Sequence, residues 1–143
     1  MTSGVNIKAP NFQKLGASIQ ENIGREFATI MSDEVTAMKL RTTSGYDYKG
    51  KAFKKYAPST IKIRKAAGRN TTFVDLTFTG KMLQSLTYNI NIVGNVLKGI
   101  IFFQSPSESE KARFNLELGR DFFGISSQRL TKIKQRIQGK AKP

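Results

Sequence analysis

Apolar side chains recur through the N-terminal third of this chain at Phe12, Leu15, Ile19, Ile23, Phe27, Ile30, Met31, Val35 and Met38. Steps of three and four put them on one side of a helix, predicted over roughly residues 12 to 40, behind Pro10 and an N-cap at Asn11. Gly16 and Gly24 each lower its intrinsic stability by about 1 kcal/mol and permit close approach of a neighbouring element. A helix this long with a single apolar stripe must lay that stripe on something broad, most simply a sheet.

The sheet is announced later in the chain, where Tyr88, Ile90 and Ile92 alternate with Asn89, Asn91 and Val93. Gly94 and Asn95 supply a turn, and Val96 to Phe103 returns, which predicts a β-hairpin. Between helix and hairpin, residues 42–58 contain two glycines, four lysines and no sustained period, and are expected to form an exposed, mobile loop. Ser59 or Thr60 is expected to cap a short basic helix ending near Gly68. "VDLTFTG" is expected to be extended, and "GKMLQSL" to make one or two helical turns. Past Pro106, "SESEKARFNLELG" has helical composition, with Ser107 as a candidate cap and Gly119 as its stop. Ser126 and Ser127 open a last helix with Leu130, Ile133 and Ile137 on one face.

The fold class predicted is therefore α+β: a long N-terminal amphipathic helix packed on an antiparallel β-sheet, with a long basic loop and a C-terminal helix. There is no internal repeat and no interdomain linker, so 143 residues are expected to make a single domain that buries about two thirds of its unfolded surface. Residues 1–10 and 139–143 are expected to be flexible ends.

Cysteine and histidine are both absent. That excludes disulfides, thiol nucleophiles and imidazole bases, and leaves no ordinary zinc or haem ligand set. No cofactor or metal is expected. The ten acids are scattered, and the adjacent Asp33 and Glu34 point to different parts of a helix surface, so they are expected to form a solvated face rather than a metal site. Lys81 follows Gly80 but lacks the rest of a phosphate-binding loop, and the sequon "NTT" at 70–72 is expected to go unglycosylated, since no secretion signal is expected. No run approaches a membrane span, so a soluble, cytosolic protein that makes no membrane contact and no enzyme chemistry is expected.

The net charge of +14 is unevenly spread. Residues 49–75 carry eight basic groups against one acid, and residues 120–143 seven against one, while the remainder is nearly neutral. Segregation of this kind suggests a polyanion nearby or a subunit that faces one; the plainer alternative is a solvated basic surface. In "YDYKGKAFKKY" three tyrosines and Phe53 are interleaved with Lys49, Lys51, Lys54 and Lys55, the mixture a single-strand binder uses for stacking and phosphate contacts. The same pattern suits a loop anchored by Phe53 and Tyr56 and kept soluble by its lysines.

Three separated blocks resemble one family. "GYDYKGKAFKKYAPSTIKIRK" (45–65), "VDLTFTGKMLQSL" (74–86) and "GRDFFGIS" (119–126) are similar to the neck and tail-completion, or virion-morphogenesis, proteins of tailed bacteriophages. The family pattern maps to Gly50, Lys51, Phe53 and Tyr56; to Leu76, Thr77, Thr79, Gly80, Met82 and Ser85; and to Arg120, Phe122, Phe123, Gly124, Ile125 and Ser126. The agreement in order and spacing extends over about residues 10–138. The chain departs at Asp121, where proline is frequent, and at Lys81, where an acid or polar residue is frequent.

The resemblance implies a non-enzymatic virion protein, assembled in the host cytoplasm, that forms a ring of six or twelve copies in the neck. Its partners would be further copies of itself, the portal or adaptor, and the tail tube or tail terminator, with non-specific contact to genomic DNA in the channel. The alternative is a free-standing cytosolic nucleic-acid-binding protein. On either reading the candidate contact residues are Lys49, Lys51, Lys54, Lys55, Lys62, Arg64 and Lys65, with Arg129, Lys132, Lys134 and Arg136 on the last helix. Phe53, Tyr56, Phe122 and Phe123 are candidate subunit contacts, and one phenylalanine of the last pair is expected to seal the core while the other faces outward.

Overall fold

Three segments pair into one antiparallel sheet in the computed structural model, which describes residues 2–77 and 80–140. They are β1 (Thr2–Lys8), β2 (Leu86–Val93) and β3 (Val96–Phe103), in the spatial order β1, β3, β2. Gly94, with φ of 59°, makes the tight turn between β2 and β3. β1 pairs with β3 in the register Ile7 to Leu97, Val5 to Gly99 and Ser3 to Ile101, so that Val5, Ile7, Leu97 and Ile101 all point to the buried face.

Among the described residues the α-helices are α1 (Ala17–Thr43), α2 (Pro58–Ala66), α3 (Lys81–Gln84), α4 (Pro106–Glu117) and α5 (Ser127–Lys140). The chain divides into two compact units, each assembled from separate segments. Every crossing lies inside α1, β2 or β3, or between residues 124 and 125. No linker composition marks the division for that reason.

The sheet unit comprises residues 2–35, 87–102 and the chain from 125 onward. Here the apolar stripe of α1, with Ile23, Phe27, Ile30 and Met31 buried, lies on the sheet. Gly99 marks the closest approach: a Cβ there would meet the Met31 Sδ at 2.6 Å. α5 contributes Ile133 and Ile137 to the same core, and Ser126 Oγ accepts from the Arg129 N–H at its first turn.

The helical unit comprises residues 36–86 and 103–124. Its core is Met38, Phe53, Tyr56, Val74, Leu76, Met82, Leu83, Phe103, Ala112 and Phe122. Ser105 caps α4, accepting from Glu108 N–H, with Pro106 in the first helical position.

Several expectations are corrected. Within the expected flexible end 1–10, residues 2–8 form β1, held by ladder hydrogen bonds and two buried side chains; residue 1 lies outside the described residues. Helix α1 begins at Ala17 rather than 12, because Phe12–Lys14 form a separate 3-10 turn and Leu15 is extended. Asn11 makes no side-chain cap there; instead Gln20 Nε2 folds back to donate to the Leu15 and Phe12 carbonyls. Pro58, preceded by extended Ala57, starts α2 in place of Ser59 or Thr60, and Ser105 rather than Ser107 caps α4. In "VDLTFTG" the described residues 74–77 form no strand, and Leu76 takes φ of 53°, a left-handed conformation incompatible with one; residues 78 and 79 lie outside the described residues. At the far end, Gly139 and Lys140 belong to α5, and residues 141–143 lie outside the described set.

Candidate assembly surface

The segment expected as a loose loop, residues 42–58, starts inside α1 and is braced from within. Asp47 Oδ1 accepts from the backbone N–H groups of Lys49 and Lys51, and a bridge joins Tyr46 to Ala52. Asp turns of this kind fix a local reversal without a hydrophobic anchor. Anchors follow nonetheless, since Phe53 and Tyr56 are both buried.

Tyr56 organises the helical unit. Its hydroxyl accepts from the Leu76 N–H at 3.1 Å, and its ring lies beneath the guanidinium groups of Arg64 at 4.6 Å and Arg120 at 5.1 Å. Burial is the main cause that raises its phenol above the usual tyrosine range, with Arg64 pulling the other way. Arg64 is only 4% exposed. It donates to Asp75 Oδ1 at 2.8 Å and to the carbonyls of Asn70 and Thr77. Arg64 is therefore a buried cross-brace and not a partner-facing charge: Tyr56 and Asp75 hold it inside.

The GRDFFGIS block closes the same unit. Arg41 Nη2, on the last turn of α1, donates to the Phe122 carbonyl at 3.0 Å and the Gly124 carbonyl at 2.8 Å. The Tyr48 N–H donates to the Asp121 carbonyl, and the Tyr48 ring lies so close over Gly124 that a Cβ there would meet it at 2.8 Å. Phe122 is fully buried, and Phe103, Phe122 and Phe123 form one aromatic cluster with ring centroids 5.3 to 6.3 Å apart. Phe53, Tyr56 and Phe122 thus belong to the core and are not subunit contacts; Phe123, half-buried, is the member of the pair that keeps some exposure. Tyr48, half-buried against Gly124, is no free stacking platform, which leaves Tyr46 as the exposed tyrosine of the loop.

The basic residues fall into two groups. Lys49, Lys51, Lys54, Lys55, Lys62 and Lys65 are all exposed. On α5 the situation differs. Arg129 binds Glu34 with both carboxylate oxygens engaged, at 2.6 to 3.0 Å, and Arg136 pairs with Glu26, which Lys140 also approaches at 3.6 Å. The hydrogen bond that Arg129 donates to Glu34 is the leading cause that strengthens the proton hold of its guanidinium. Asp33 is exposed, as expected of a solvated face, but Glu34 is 4% exposed and that part is corrected: an arginine 95 positions away draws this carboxylate into the sheet unit. Arg129 and Arg136 are thereby neutralised locally, whereas Lys132 and Lys134 stay exposed.

Apolar side chains on the surface are not those singled out from sequence. In the helical unit Leu40, Tyr46, Ile63, Phe73, Phe114 and Leu118 are exposed. One signal was present: Ile61 and Ile63 stand two apart on a helix and cannot both face inward. On α4, Ala112 faces in, and the larger Phe114 and Leu118 face out. Among the described residues no three acids gather to hold a metal ion, and no helix is long and apolar enough to cross a membrane. No protein-family model, curated protein or solved structure matches the chain.

Proposed function

We propose that this chain is a structural protein of the neck of a tailed bacteriophage, forming a homo-oligomeric ring that joins head to tail round the DNA channel. The observation that supports this reading is the convergence of the three resembling blocks. Block one meets block two through Tyr56 with Leu76 and Arg64 with Asp75. Block three meets block one through Arg120 on Tyr56, Tyr48 with Asp121 and the Tyr48 ring over Gly124. Tyr56, Leu76, Arg120 and Gly124 of the resembling pattern thus take part in the contacts that tie the three blocks together within the helical unit.

That unit leaves outward what an assembly protein needs. Six exposed lysines between 49 and 65 suit a surface that DNA passes, through contacts that ignore base sequence. Exposed Leu40, Ile63, Phe114 and Leu118 supply apolar area for neighbours.

The test is microscopy and light scattering of the purified protein, with antibody labelling of virions. Rings, or a label at the head–tail joint, together with weak affinity for short DNA, are the expected result. A monomer that binds short DNA tightly and with steep salt dependence overturns it in favour of the free-standing nucleic-acid binder.

A further inference from the structure

We infer that α4 of one copy docks on α2 of the next, in a head-to-tail contact. The inference rests on the ring reading and names which surfaces make the ring. Glu110, Arg113, Phe114 and Glu117 of α4, with Leu118 at its C-cap, follow one another at helical steps of three, one, three and one, and so share a face. All five are exposed, with Phe114 at 61% and Leu118 at 51%. Glu110 and Glu117 both lean on a single arginine, Arg113, at 2.7 and 2.6 Å, so the face keeps one net negative charge beside two uncovered apolar side chains. The Arg113 hydrogen bond holds the Glu110 carboxyl below its usual range, which keeps it ionised.

α2 offers the complement. Lys62, Ile63 and Lys65 are exposed, with Ile63 at 62%, while the other basic residue of the helix, Arg64, turns inward to Asp75. Ile63 thus stands next to Lys62 on the helix surface, Lys65 lies one turn on from Lys62 along the same ridge, and nothing on α2 offsets the charge of the two lysines. A cleft of about 600 Å³, lined in part by Leu76, Met82, Glu110 and Phe114, opens beside the α4 face and is large enough to receive Ile63 of a second copy.

Charge decides the pairing. Two α4 faces against each other oppose carboxylates, and two α2 faces oppose lysines, so each self-pairing is repulsive in a molecule that already carries +14. Only α4 against α2 joins opposite signs around matched apolar side chains. The other acids of high local density, Glu26 and Glu34 on α1, are already engaged by α5. A contact between two different surfaces of the same chain propagates from copy to copy and closes into a ring or continues as a filament, where a self-pairing would stop at a dimer.

The chain has no cysteine, so single thiols report the contact cleanly. Full-length Ile63→Cys and Phe114→Cys proteins, distinguished by mass, are mixed under mild oxidation. Both positions are exposed, so folding is retained, and circular dichroism checks it. The expected result is a mixed disulfide at least about tenfold over either homodimer, against twofold for random collision. Glu110→Lys with Glu117→Lys in the Phe114→Cys chain returns the ratio to random, and Lys62→Glu with Lys65→Glu in the Ile63→Cys chain restores it. Random proportions, no mixed disulfide, or indifference to both charge reversals overturns the contact. Rings seen by microscopy with random cross-linking remove this contact and leave the neck reading standing; a strong mixed disulfide in a protein absent from the head–tail joint does the reverse.

Discussion

Gly124 shows how a single missing side chain decides the geometry of the GRDFFGIS block. The Tyr48 ring fills the space where a Cβ would stand, and Arg41 grips the carbonyls of Phe122 and Gly124 from the end of α1. Gly124→Ala is expected to cost about 1–3 kcal/mol by overpacking, read from urea denaturation. Combining it with Tyr48→Ala removes most of the added cost, because the two changes act on one contact; strict additivity would show that the tyrosine is not what the methyl meets. Tyr56 gives a second residue-scale test. Its phenol is raised by burial, so the folded chain keeps this proton after the unfolded chain has released it. Stability is therefore unaffected below the ordinary tyrosine value of about 10 and falls as pH rises above it. Tyr56 is expected to ionise above the ordinary tyrosine range in an ultraviolet titration, and Tyr56→Phe to flatten that alkaline decline while losing the bond to Leu76 N–H.

At the scale of elements, β1 and α5 are where the fold departs most from expectation. Val5 is buried and Asn6, beside it, is exposed. Val5→Asp therefore buries an unpaired charge and is expected to cost more than about 3 kcal/mol, while Asn6→Asp stays within about 0.5 kcal/mol. Equal effects would mean that β1 is not part of the folded sheet. The β2–β3 hairpin was legible because its alternation and turn are local, contained within a few residues of Gly94. β1 carries only Val5 and Ile7 as apolar markers, and its partner lies some 90 positions away, at Gly99 and Leu97. Nothing nearby in the chain signals such a pairing. The same holds for Glu34, which is buried in a pairing with Arg129: a carboxylate on a helix looks solvated until its partner arrives. Glu34→Gln is expected to destabilise by about 1–2 kcal/mol, less than the 3–5 typical of a fully buried pair because Arg129 stays partly open to water. The anchors Phe53, Tyr56 and Phe122 were visible as apolar or aromatic in a polar setting. Composition alone does not say whether such a side chain faces a core or a neighbour, and here the arginines stacked on Tyr56 and the ring of Phe103 resolve it inward.

For the whole molecule, the pairing on α5 changes where the excess positive charge acts. Arg129 and Arg136 are held to acids of α1, whereas Lys49, Lys51, Lys54 and Lys55 are exposed around a braced turn, Lys49 with its amine over the Tyr48 ring. Reversing these four lysines to glutamate leaves Tm nearly unchanged, because exposed charges contribute little to folding. Contact with a polyanion responds quite differently. Each phosphate a lysine neutralises adds about 0.9 to the slope of log affinity against log salt, so losing all four lowers a measured slope on duplex DNA by up to about 3–4 units. Arg129→Gln with Arg136→Gln is expected to change the slope by less than about 1 while lowering stability, since those groups already serve Glu34 and Glu26. A larger loss of slope from the α5 pair than from the loop would place the DNA-facing surface on α5 and would mean that its ion pairs open when DNA arrives. The opposite order leaves the sheet unit to carry the fold and the helical unit to meet whatever passes it, a separation of tasks that lets the exposed lysines vary without disturbing the core beneath them.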